Sequence, residues 1–204
     1  MATTEPRPAP RWLRPVLWLA ILLVLGGLAA AAFWPREEAA EGYSDAFGGA
    51  FELVDHNGRT VSDRSLKGQP FAIFFGFTRC PDICPTTLQR LSRLKRQLGP
   101  AGEKLRLVFV SLDPERDSGK LIGDYLSLFP VPITGLTGSP QQLARIIDAY
   151  HVYREKVPIE GGDYLIDHTA TIFLMDADGR FFGALAHGEA DDASLAKLHR
   201  LVGD

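Results

Sequence analysis

Seven consecutive residues with no charged or hydrogen-bonding side chain, Phe71-Ala72-Ile73-Phe74-Phe75-Gly76-Phe77, constrain this chain more than any other stretch. A strand with one wet face alternates apolar and polar residues. An unbroken apolar run reads instead as a strand buried on both faces. The run leads into Thr78-Arg79-Cys80-Pro81-Asp82-Ile83-Cys84-Pro85. Leu88, Leu91, Leu94 and Leu98 then mark one face of a helix over residues 85–98, ended by Gly99-Pro100. A doubly buried strand feeding a helix is the building unit of an α/β sheet.

The alternation continues. Residues 105–112 form a second buried strand, and Leu121, Ile122, Tyr125, Leu126 and Phe129 trace a helical stripe. Ser139-Pro140-Gln141-Gln142 has the pattern of a capping box, opening a helix with Leu143, Ile146, Ile147 and Tyr150 on its buried face. Strands over 169–175 and 180–186 are joined by Asp176-Ala177-Asp178-Gly179, and Leu195, Leu198 and Leu201 mark a last helix. Upstream, residues 51–54 and 59–61 flank Asp55-His56-Asn57-Gly58, a hairpin signal. The order predicts a mixed central sheet flanked by helices, with an N-terminal β-hairpin extension. Two cysteines where the first long central strand turns into a helix is the arrangement of thioredoxin-like domains.

The N-terminus lies outside that core. Pro15 to Trp34 is a run of 20 residues without a charge. As a helix it would span roughly 30 Å, the thickness of bilayer hydrocarbon. Arg7, Arg11 and Arg14 precede it, and Glu37, Glu38 and Glu41 follow. The positive-inside rule leaves 1–14 in the cytoplasm and exports the remainder. A cleaved signal peptide is the rival reading, but its apolar core is usually about 7–15 residues. The expected organisation is therefore a cytoplasmic 1–14, a single-pass transmembrane anchor at 15–34, a linker at 35–44 and a globular domain at 45–204. The short leader favours a bacterial inner membrane, with the domain in the periplasm.

The chain has two cysteines, and a formal charge of −3 gives no reason to invoke nucleic acid. Outside the cytoplasm a Cys80–Cys84 bridge could be inert, yet a bridge closing so short a loop stabilises little. A helix N-terminus favours thiolate over thiol, which points to thiol–disulfide exchange or soft-metal binding. A metal needs a third ligand. His168, in Asp163-Tyr164-Leu165-Ile166-Asp167-His168-Thr169, precedes the strand expected at 169, where the fold brings the chain against the cysteine turn. Redox members of the fold typically have a proline there. His56, His151, His187, His199 and Met175 read as structural. Arg90, Arg93, Lys95 and Arg96 read as a solvated helix face, or more sharply as a docking patch for an acidic partner.

Three blocks carry a resemblance: residues 74–85, Val110-Ser111-Leu112-Asp113-Pro114-Glu115-Arg116-Asp117, and residues 163–169. In order and separation they closely resemble the Sco/SenC copper proteins. The resemblance implies a membrane-tethered copper chaperone for the copper A centre of cytochrome c oxidase. It implies Cys80, Cys84 and His168 as ligands of Cu(I), with a Cu(II) form using a further donor. Asp82 would tune the ligands or the docking of a partner. Asp113 is either part of that outer layer or a strand-end cap. The expected partners are the oxidase copper A subunit, other copper chaperones and the membrane.

The chain is then not a metabolic enzyme. The main alternative is a dedicated thiol–disulfide oxidoreductase that reduces the acceptor's cysteines, with Cys80 and Cys84 as its redox disulfide. A thiol peroxidase is a further reading, disfavoured because Thr78 lies two residues before Cys80 instead of three.

Overall fold

The computed structural model describes Trp18, residues 20–27 and residues 46–203. The chain divides into two units, residues 1–39 and 40–204. In the first, residues 20–27 are helical and exposed. Among the described residues no helix is long and apolar enough to cross a membrane. Residues 1–14, most of the expected 15–34 span and the 35–44 linker lie outside the described residues.

The second unit begins with β1 (Glu52–Asp55), β2 (Thr60–Ser62), α1 (Asp63–Leu66), β3 (Phe71–Gly76) and α2 (Ile83–Gln97). A 3-10 helix (Gly99–Lys104), β4 (Arg106–Ser111), α3 (Gly119–Leu126), β5 (Thr134–Thr137) and α4 (Pro140–Ala149) follow. The chain ends with β6 (Arg154–Pro158), β7 (Tyr164–His168), β8 (Ile172–Met175), β9 (Phe181–Leu185) and α5 (Asp191–Val202). Seven strands form one sheet in the order β2-β1-β5-β4-β3-β8-β9. The β3–β4 and β4–β5 pairings are parallel; β3–β8, β8–β9, β1–β2 and β1–β5 are antiparallel. The mixed α/β sheet read from the sequence is the one found. The N-terminal hairpin also forms, and because β1 pairs with β5 it is the edge of the main sheet.

All six residues of β3 are buried, as an unbroken apolar run requires. On α2, Leu88, Leu91 and Leu94 are wholly buried. Each contributes roughly 2 kcal/mol of transfer free energy. Ser139 caps α4 in a capping box with Gln142. The Gly76 and Ser111 ends of β3 and β4 are level. The cysteine turn and the loop after β4 therefore leave the same sheet edge side by side.

One expectation is corrected. The strand expected from Thr169 begins at Ile172, because Thr169 is bonded to Tyr153 and not to the main sheet. Its N–H donates to the Tyr153 carbonyl (3.2 Å), and its hydroxyl accepts the Tyr153 N–H (2.9 Å). It thus closes the base of a two-stranded sheet, β6–β7, that the sequence reading missed. The α2 basic residues, read as a solvated face or a docking patch, are partly engaged within the chain, while Arg93 and Arg96 stay exposed. Arg90 and Arg93 both pair with Asp191 at the start of α5, and the Lys95 ammonium donates to the Leu105 carbonyl. These side chains pin α2 to its neighbours.

Candidate metal centre

Cys80 and Cys84 are placed by the way β3 turns into α2. Gly76, the last residue of β3, has no side chain where one would collide. A Cβ there would lie 2.9 Å from the Cys84 sulfur and 2.9 Å from Phe109 Cε2. Cys84 can therefore sit wholly buried against the strand while Cys80 is half-buried. Asp82 occupies the N-cap of α2, but its side chain caps nothing. Cys80 takes over that task, its sulfur accepting the Cys84 N–H at 3.3 Å. A helix's first N–H groups have no intrahelical partner, and here one of them points at a sulfur.

His168 ends β7, opposite Arg154 in the β6–β7 ladder. Its ring is edge-on to Phe74 and Phe77, with centroids 6.1 Å from each. Its Nδ1 lies 3.0 Å from the Thr169 carbonyl oxygen. A carbonyl can only accept, so Nδ1 carries the proton and Nε2 presents its lone pair. That Nε2 lies 3.6 Å from the Cys84 sulfur. The two sulfurs and an imidazole nitrogen all lie within 4.8 Å of one another. No other group of three or more His, Cys, Asp or Glu residues meets that condition among the described residues. A cavity of about 250 Å³ opens beside them, walled mainly by Phe77, Pro81, Ile83, Leu165 and Ala170.

The two thiols differ electrostatically. The hydrogen bond from Cys84 is the main cause that pulls Cys80 down to about 4, with backbone N–H groups adding to it. The same bond and burial push Cys84 up. One sulfur is thus a ready thiolate and its partner holds a proton. Such a pair can act as nucleophile and resolving thiol, or can ligate a soft cation once Cys84 deprotonates. Two thiolates and an imidazole suit Cu(I) and Zn²⁺; the cluster holds no carboxylate for a hard cation.

Of the two outer candidates, Asp82 is exposed and lines the cavity rim. Asp113 is wholly buried away from the sulfurs. Its carboxylate accepts from the Arg116 guanidinium and from the Tyr164 hydroxyl (2.7 Å). Sequence reasoning missed Arg116, Asp117, Arg154 and Tyr164, which hold the loop and hairpin around the site. The Gly161-Gly162 turn, with φ of +88° and +81°, was the available signal for that hairpin.

Residues 39–203 match the SCO1/SenC family model. The chain is 34% identical to Protein SCO2, mitochondrial, of Saccharomyces cerevisiae, over 97% of this chain and 71% of that one. It is 38% identical to a SCO2-like protein of Rickettsia felis, over 77% and 76%. Among solved structures it is similar to Bradyrhizobium japonicum ScoI with copper bound: 46% identity, TM-score 0.71, covering 76% of this chain and 99% of that one. Yeast Sco1 with copper bound gives 35% identity and a TM-score of 0.71, over 78% and 89%.

Proposed function

The chain belongs to the SCO1/SenC family, and on that premise we propose that it is a copper chaperone whose cargo is held by Cys80, Cys84 and His168. The observation that carries the reading is the convergence of two sulfurs and the free Nε2 of His168. Copper-bound relatives of the same fold support copper over zinc as the cargo. Soft thiolates select Cu(I), and a Cu(II) form would add a further donor. Oxidation to a Cys80–Cys84 disulfide removes both thiolates, so copper holding depends on redox state. The acceptor is the copper A centre of cytochrome c oxidase, with other copper chaperones as partners.

Residues 15–34 would anchor the chain in the inner membrane. Residues 1–14 would stay in the cytoplasm, 35–44 would act as linker and 45–204 would face the periplasm. Cells lacking this chain should assemble oxidase with little copper A absorbance, restored by the native chain and not by Cys80→Ser. Normal copper A absorbance in those cells would overturn the reading.

A second reading rests on the unequal thiols. The Cys80 thiolate attacks a disulfide of the acceptor, giving a mixed disulfide and releasing one acceptor thiolate. Cys84 then loses its proton and displaces the second acceptor sulfur. The Cys80–Cys84 disulfide forms and the acceptor gains two electrons. Trapping of a mixed disulfide by Cys84→Ser would favour this role; its absence would leave copper delivery alone.

A further inference from the structure

The loop 113–117 touches both halves of the proposed site and contributes none of its ligands. From one end, the Asp117 carboxylate, 1% exposed, accepts the Thr78 N–H (3.0 Å), the Thr78 hydroxyl (2.5 Å) and the Ser111 hydroxyl (2.6 Å). Thr78 lies two residues before Cys80. From the other end, the Arg116 guanidinium stacks on the Tyr164 ring, its central carbon 3.5 Å from the centroid. It also donates to the Tyr164 carbonyl (2.9 Å) and to Asp163. Tyr164 opens β7, and His168 closes it. Among the described residues no ladder joins β6–β7 to the seven-stranded sheet. These side-chain contacts stand where strand pairing would otherwise fix the hairpin.

We infer that loop 113–117 is a bracket that sets the spacing between the cysteine turn and the histidine strand. Asp117 is a positioning residue for Cys80, acting through Thr78. Arg116 is a positioning residue for His168, acting through Tyr164. Three donors converge on Asp117, which a carboxylate satisfies and an amide, with one acceptor oxygen, does not. Arg116 must lie flat on a ring and donate in two directions, which a guanidinium does and an ammonium does not. The inference rests on the reading that Cys80, Cys84 and His168 hold copper.

Arg116→Lys and Asp117→Asn, each in the native and His168→Ala backgrounds of the full-length chain, test the bracket. Cu(I) affinity is read by competition with a chromophoric chelator. Separately, the metal-free chain is examined for the nuclear Overhauser contact between the His168 and Phe77 rings. Arg116→Lys should weaken Cu(I) binding about tenfold in the native background. In the His168→Ala background it should change nothing, because a purely structural loss would persist there and a positioning role would not. Asp117→Asn should weaken binding in both backgrounds. The ring contact should vanish in Arg116→Lys and survive in Asp117→Asn. Equal weakening by Arg116→Lys in both backgrounds, or an intact ring contact, would overturn the bracket. Should the native chain bind no copper, the proposed function fails; the metal-free ring contact then decides the bracket by the same criterion. If Arg116→Lys does not fold, Tyr164→Leu, which removes the ring that Arg116 stacks on, replaces it in both arms.

Discussion

The Nε2 of His168 lies 3.6 Å from the Sγ of Cys84, although 84 positions separate the two residues in the chain. The Thr169 carbonyl turns the imidazole so that Nε2 faces the sulfur. Gly76 leaves the room in which that sulfur sits. A site of this kind is sensitive to changes that add volume behind it as well as to loss of a ligand.

Gly76→Ala is the direct case. The new methyl group would contact the Cys84 sulfur and Phe109 at 2.9 Å, closer than carbon can approach either atom. Relief requires moving Cys84 or distorting β3. We expect a loss of about 1–3 kcal/mol in urea denaturation, typical of overpacking, together with weaker Cu(I) binding. Unchanged stability and unchanged copper affinity would show that the strand and helix can part at no cost.

The unequal thiols predict unequal alkylation. With Cys80 held at about 4, its reaction with iodoacetamide should be flat from about pH 6 to 8 and fall only near its own titration, since the thiolate is the reactive form. Cys84, pushed up and buried, should stay unmodified in the native state. Peptide mass mapping separates the two. A Cys80 rate rising tenfold per pH unit through neutrality would mean an ordinary thiol.

Copper binding should itself depend on pH, with a definite sign. Above about pH 6 Cys80 is already a thiolate, whereas Cys84 must give up a proton to ligate. One proton released per copper makes Cu(I) affinity rise about tenfold per pH unit between about pH 7 and 9. A pH-independent affinity, measured with a chelator of known pH response, would mean that Cys84 is deprotonated before the metal arrives.

Arg90 supplies a contrast remote from the metal. Its side chain, 18% exposed, donates to Asp191 (2.9 Å), Ser194 (2.6 Å) and the Glu189 carbonyl (2.5 Å). Arg90→Ala should cost about 1.5–3 kcal/mol of stability, the range for charge-assisted hydrogen bonds, and should leave copper affinity unchanged. Copper loss in that variant, at a temperature where it remains folded, would tie α5 to the site in a way the contacts do not.

The sequence was most legible where apolar pattern and local chemistry coincide. The run at β3, the leucine stripe of α2 and the Ser139 capping box each name their own element. The cysteine pair announces itself by standing at the start of a helix. Legibility stopped where contacts are polar and distant in sequence. Strand β6, Arg154-Glu155-Lys156-Val157-Pro158, is largely exposed. It is held by Lys156 on Glu115 and Arg154 on the Leu112 carbonyl, so no apolar alternation betrays it. Missing that hairpin moved His168 from the end of one strand to the threshold of the next. It also hid the roles of Arg116 and Tyr164. The pairing of Arg90 with Asp191 was invisible for the same reason, since 101 positions separate them.

Anaerobic Cu(I) titration of the reduced full-length chain, beside Cys80→Ser, Cys84→Ser and His168→Ala, tests the central claim most directly. One tightly bound copper is expected, lost with either cysteine and weakened with the histidine. Absence of tight copper in the native chain, or stoichiometric binding indifferent to His168, would contradict it and leave Cys80 and Cys84 as a thiol–disulfide pair.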